Sequence, residues 1–211
     1  MTEKLESWFA TMPVIAILRG VRPEEVVGIG EAVYKAGIGI IEVPLNSPDP
    51  LASIKNLAQA LGDRCVIGAG TVLTEADVVA VAAAGGEIIV SPNTNVEVIK
   101  QSLELGLVPM PGWATVTEAF LAYQAGARYL KLFPAATYGP GHIKAARAVL
   151  PDQCKLLAVG GVGADMAEQW LGAGIDGFGI GSELYKPGDS ADQVYQSARA
   201  VVEAITAGRA H

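Results

Sequence analysis

The sequence predicts an α/β fold, a (β/α)₈ TIM barrel with a short N-terminal helix, formed by residues 1–211 as one domain. Three observations predict it. Short apolar runs alternate with longer helical patterns, the runs are evenly spaced, and no compositional break interrupts the series. Repeated βα units of this kind build a parallel sheet, and 211 residues suffice for one closed barrel. An open doubly wound sheet would use the same units, but the even spacing and short loops favour closure.

The elements follow in chain order. The first twelve residues, MTEKLESWFATM, carry Glu3 and Glu6 without an uninterrupted apolar stretch, so they read as an amphipathic helix rather than a signal peptide. Strands are expected at residues 13–18, 39–43, 65–69, 88–90, 107–110, 129–133, 156–159 and 177–180. Helix starts are signalled by Pro23 with Glu24 and Glu25, Thr74 with Glu75 and Asp77, Asn95 with Glu97, and Thr115 with Glu118. Helix ends are signalled by Gly37, Gly62, Gly85, Gly106, Gly126 and Gly174, where glycine can adopt the left-handed conformation that closes a helix.

Composition narrows the function. Apolar residues make up 51% of the chain and charged residues 18%, as expected for strands buried on both faces and against disorder. The sparing polar surface leaves room for a subunit interface. A net charge of −7 with no basic stripe argues against a nucleic-acid partner, so an anionic substrate would have to be held by local donors. No segment reaches the roughly 20 apolar residues that span a bilayer, which predicts a soluble protein. Cys65 and Cys154 lack metal-type spacing and read as reduced thiols in a cytoplasmic setting. His142 and His211 are the only histidines and form no ligand cluster, so neither a metal nor another cofactor is expected. No G-x-G-x-x-G follows the first strand to suggest a nicotinamide.

In barrels of this type the reactive groups lie where strands end and βα loops begin. The eight ends carry Arg19, Glu42, Thr71, Pro92 with Asn93, Gly112 with Trp113, Lys131, Gly160 with Gly161, and Gly181 with Ser182. Lys131 sits in the apolar run Tyr129, Leu130, Lys131, Leu132, Phe133, whose odd positions share one face. Desolvation there lowers the lysine pKa and frees the lone pair that attack on a ketone requires. The plainer alternative is a lysine snorkelling to solvent or pairing with a structural carboxylate. Glu42 interrupts an apolar strand in the same way and, if it faces Lys131, could shuttle protons; a buried ion pair that only holds the barrel remains the alternative. Arg19 suits capture of a carboxylate or phosphate at the barrel mouth, or else a surface salt bridge. The Thr71 hydroxyl could bond a substrate or cap its turn. Glycines at the last two strand ends let backbone N–H groups approach a phosphate, although tight turns use glycine too.

These strand ends resemble the 2-keto-3-deoxy-6-phosphosugar aldolase family, a lysine-dependent class I group. The resemblance runs over about residues 13–201 and is carried by PVIAILRG, IEVPLNSP, GAGTVL, SPN, PGWATVTEA, KLFPA, AVGGV and GIGSELY. It implies a Schiff base on Lys131, proton transfer by Glu42, contact of Arg19 and Thr71 with the substrate carboxylate, and a phosphate held by Gly160, Gly161, Gly181 and Ser182. It also implies reversible, metal-free cleavage to pyruvate and glyceraldehyde 3-phosphate, and a homotrimer. Gluconate-type members tend to have arginine where this chain has Asn46 and threonine where it has Val159. Both departures resemble the galactonate branch. Valine beside C4 cannot donate a hydrogen bond to a hydroxyl, whereas threonine can, so the two C4 epimers should be ranked differently. The gluconate epimer or 4-hydroxy-2-oxoglutarate is the rival substrate for the same machinery. An isomerase without a covalent lysine and a non-catalytic sugar-phosphate-binding barrel are the readings from other classes. Trp113 is left between lining the mouth and packing a helix, the latter being the commoner fate.

Overall fold

The computed structural model describes residues 2–209. The N-terminal helix α1 (Thr2–Thr11) precedes β1 (Val14–Ile17), α2 (Val26–Ala36), β2 (Ile40–Pro44), α3 (Pro50–Leu61) and β3 (Val66–Gly70). Then come α4 (Glu75–Ala83), β4 (Ile88–Val90), α5 (Val96–Glu104), β5 (Val108–Met110), β6 (Gly112–Trp113) and α6 (Val116–Gln124). The last part holds β7 (Tyr129–Leu132), α7 (Ala135–Tyr138), α8 (Pro140–Arg147), β8 (Lys155–Val159), a 3₁₀ turn (Ala164–Met166), α9 (Ala167–Gly172), β9 (Gly177–Ile180) and α10 (Ala191–Arg209). All pairings are parallel, and the order is β5-β4-β3-β2-β1-β9-β8-β7-β6.

The two ends of that order, β5 and β6, are consecutive in sequence, so the sheet closes into a barrel of eight staves. The expected strand at 107–110 is thus the first half of a stave that Pro111 divides. Proline has no N–H for the ladder but keeps its acceptor, and the Lys131 N–H donates to the Pro111 carbonyl across the seam at 2.9 Å. The strands expected at 88–90 and 177–180 match residue for residue; the others shift by a residue at one or both ends. One shift matters: β2 runs on to Pro44, so Glu42 lies in mid-strand rather than at its end.

The caps behave as their chemistry requires. Thr74 with Asp77 and Thr115 with Glu118 form complete capping boxes, and Asn95 accepts from the N–H groups of Glu97 and Val98. The start expected at Pro23 is a turn, in which the Glu25 and Val26 N–H groups donate to the Arg22 carbonyl, and α2 begins at Val26; the Glu25 carboxylate accepts from the Arg22 N–H and the Tyr185 hydroxyl. Five of the six closing glycines are left-handed. Gly62 is the exception: it stays right-handed at φ −63, and its carbonyl is taken by the Lys4 ammonium at 2.6 Å.

Two apolar layers result. One fills the space between barrel and helices, and includes Trp113, Trp170 and Phe178. The other fills the barrel itself with Ile15, Ile40, Val66, Ile88, Met110, Tyr129 and Leu157, closed from below by Leu5 of α1 with Trp8 and Phe9 packed against it. Gly39 makes room for the Trp8 indole, where any Cβ would collide. Closure from below leaves the upper end of the interior open to ligands. Cys65 and Cys154 are buried and unpaired. No described helix is long and apolar enough to cross a membrane.

Candidate active site

The upper end of the barrel opens into a cavity of about 660 Å³. Lys131, Glu42, Arg19, Thr71, Val159, Gly160, Gly161, Gly181 and Ser182, contributed by six different staves or the loops after them, all line it. The topology explains the convergence. Side chains alternate across a strand, so Lys131 points inward with Tyr129, while its neighbours Leu130 and Leu132 pack outward under the helices. Glu42 points inward with Ile40 by the same rule.

Lys131 and Glu42 are both buried, at 7% and 2% exposure. Burial is the main cause that pulls the Lys131 ammonium down to about 8; Glu42 opposes the shift and Arg19 adds to it. Burial likewise pushes the Glu42 carboxyl up to about 7, against the positive charges of Lys131 and Arg19. No hydrogen bond joins the two. Oε2 of Glu42 has no hydrogen-bond partner among the described residues, and Nζ of Lys131 lies 4.7 Å from the centre of the Phe133 ring. A buried ion pair that merely holds the barrel would be closed and satisfied; this pair instead leaves an amine and a carboxyl, both near neutrality in their titration, facing a ligand-sized space. Such an arrangement suits covalent attack on a carbonyl with proton transfer beside it.

Arg19 is exposed at the rim, and its Nη1 donates to Oδ1 of Asn46 at 2.6 Å. The next hydroxyl, on Ser47, accepts from the Gly20 N–H at 2.9 Å, so the turn after β2 grips both the side chain and the backbone of the turn after β1. Thr71 adopts φ +58, an uncommon left-handed state for a β-branched residue, at the point where β3 delivers it to the cavity. Gly160 and Gly161 are also left-handed, at φ +94 and +70. Val159 is inward-facing and 5% exposed.

Pro92, one of the strand ends named from the sequence, also lines the cavity, as do Phe133, Ile17, Glu183 and Lys186, which were not among the expected site residues. Phe133 and Ile17 were accessible from the sequence by counting two positions along the strand from Lys131 and Arg19. Glu183 and Lys186 lie on an irregular loop and give no periodic signal. Trp113 does not line the cavity: it is 2% exposed in the outer layer and stacks on His142, with ring centres 5.4 Å apart. Among the described residues no group of three or more histidine, cysteine or carboxylate side chains is placed to hold a metal; His211 lies outside them.

Residues 5–197 match the family model described as KDPG and KHG aldolase. The chain is 46% identical over 197 residues to the 2-dehydro-3-deoxy-6-phosphogalactonate aldolase of Escherichia coli strain K12, covering 93% of this chain and 96% of the relative. A solved structure described as native KDPGal superposes with a TM-score of 0.93 at 45% identity, over 95% of this chain and 97% of the other. The KDPG aldolase of Legionella pneumophila, solved with pyruvate captured as a covalent carbinolamine, superposes with a TM-score of 0.84 at 28% identity, over 94% and 98% of the two chains.

Proposed function

Because the chain belongs to the KDPG and KHG aldolase family, a group of class I Schiff-base aldolases, we propose that it cleaves 2-dehydro-3-deoxy-6-phospho-D-galactonate to pyruvate and D-glyceraldehyde 3-phosphate. The observation that carries the reading is the pair of buried groups with opposed shifts, Lys131 down and Glu42 up, on one cavity.

The steps follow from their states. Neutral Nζ of Lys131 attacks the C2 ketone to give a carbinolamine, which loses water to form a protonated imine. Glu42 removes the proton of the C4 hydroxyl as the C3–C4 bond breaks, and the bonding electrons pass to the iminium to leave an enamine. The phosphorylated aldehyde departs. Glu42 then returns its proton to C3, and water releases pyruvate and regenerates the amine. A carboxyl titrating near 7 suits both halves of that exchange. Arg19, whose guanidinium is held by Asn46, and the Thr71 hydroxyl are assigned to the substrate carboxylate. The N–H groups of Gly160, Gly161, Gly181 and Ser182 are assigned to the phosphate.

Preference for the galactonate epimer is supported by Val159 and Asn46 and by the name of the E. coli relative. Assembly as a homotrimer and residence in the cytoplasm belong to the same proposal. Exposed Val79, Leu103 and Leu121 on the neighbouring helices α4, α5 and α6 offer apolar surface for an interface.

The experiment is borohydride trapping with pyruvate, read by intact mass and peptide mapping, followed by kcat/KM for the two epimers. A pyruvyl adduct on Lys131 with faster cleavage of the galactonate substrate is the expected result. No adduct in folded protein would remove the Schiff base, and equal kcat/KM would remove the epimer preference.

A further inference from the structure

The loop after β8 reads Gly160, Gly161, Val162, Gly163. Three glycines in four residues give the backbone little preference of its own, so its shape depends on how its ends are held. The Gly160 carbonyl accepts from the Ala136 N–H at 3.0 Å. The far end is held from the neighbouring loop: the Ala164 N–H donates to both carboxylate oxygens of Glu183, at 3.3 and 3.1 Å. Gly163 leaves room for two carboxylates here, since a Cβ there would lie 2.6 Å from Oδ1 of Asp165 and 2.9 Å from Oε2 of Glu183. Glu183 is itself anchored, because the N–H groups of Leu184 and Tyr185 both donate to the Gly181 carbonyl, at 2.9 and 3.0 Å.

We propose that Glu183 is a positioning residue for the phosphorylated end of the substrate: its carboxylate clasps the loop after β8 to the loop after β9 and so sets the spacing between the Gly160–Gly161 and Gly181–Ser182 donors. The proposal rests on the phosphate assignment made above. Its chemistry is distinctive because Glu183 lines the same cavity, where a carboxylate by charge alone opposes an incoming dianion. Its contribution to binding is therefore as an acceptor for the Ala164 N–H, and an uncharged acceptor of the same length serves as well.

The test compares Glu183→Ala and Glu183→Gln in the full chain. Glu183→Ala raises KM for the phosphorylated substrate about 5- to 10-fold, the effect of one lost hydrogen bond, with kcat within about 2-fold. The inhibition constant of inorganic phosphate rises in parallel. Glu183→Gln returns both constants to the wild-type value or below it. Exchange of the pyruvate methyl protons, which needs only the Lys131 end of the site, is unchanged in both variants. Lower KM in both variants would identify Glu183 as a simple source of repulsion and overturn the clasp, as would an unchanged KM in Glu183→Ala. A joint fall in kcat and proton exchange would make it a general support of the barrel and also overturn the proposal. Wild-type protein that traps no pyruvate and cleaves neither epimer would instead bring down the aldolase reading, and this inference with it.

Discussion

Gly70 is a glycine because Glu42 lies where its side chain would be: a Cβ at Gly70 would coincide with the Glu42 carboxylate on the adjoining strand. The register β2–β3 pairs Pro44 with Gly70 and Glu42 with Gly68, so the inward face of β3 is cut back to glycine beside the buried carboxyl. Gly70→Ala is expected to displace the carboxylate and lower kcat by about 10²-fold or more, the range of a lost proton-transfer group, while circular dichroism shows the fold retained. Full activity in this variant would mean that Glu42 has freedom the packing denies it.

The pH dependence of imine formation has a definite sign. Attack needs the neutral amine, so the rate of pyruvate-dependent borohydride inactivation should climb as pH rises through about 8. Arg19 lowers the Lys131 pKa and Glu42 raises it. Arg19→Met should therefore move the midpoint to higher pH, and Glu42→Gln to lower pH. Midpoints that move in the reverse directions would contradict the charge arrangement.

Val159→Thr tests the epimer preference. Val159 is inward-facing beside Gly179, where a Cβ would lie 2.8 Å from its Cγ2, so the isosteric change adds a hydroxyl without adding bulk. The ratio of kcat/KM for the galactonate over the gluconate substrate is expected to fall about 10-fold, as a new donor reaches the epimeric C4 hydroxyl. A ratio unmoved by the hydroxyl would assign C4 discrimination to another wall of the cavity.

Both buried groups cost stability at neutral pH. Glu42 titrates above its ordinary 4.5, so the stability linked to it is full below about 4.5 and is lost as pH rises through about 7. Lys131 titrates below its ordinary 10.5, so its contribution is full above about 10.5 and is lost as pH falls through about 8. Replacing both, in Glu42→Gln/Lys131→Met, should stabilise the fold by about 1–4 kcal/mol, with Tm rising about 2–4 °C per kcal/mol. Thermal unfolding at pH 7.5 reads the gain, and a lower Tm in the double variant would refute the cost.

Much of this was legible in the sequence because the barrel repeats a local rule. Apolar runs of strand length, capping boxes at Thr74 and Thr115, and left-handed glycines such as Gly37 and Gly126 are set by residues a few positions apart. Lys131 and Glu42 were legible because each is one ionisable residue in an apolar strand; period two groups each with its neighbours two positions away, and the closed barrel then makes that face the inward one.

What the sequence alone determined is therefore the series of βα units, their polarity, and the residues delivered to the upper rim. What only the tertiary structure decided is everything that depends on pairing between distant segments. Closure of the sheet runs through the divided stave at Pro111, the Glu42 carboxylate faces the glycine face of β3, Arg19 is held by Asn46, and Glu183 reaches across to Ala164. The physical reason is that local rules fix where a side chain leaves its own strand or loop, whereas its partner and its pKa depend on what the other staves place beside it.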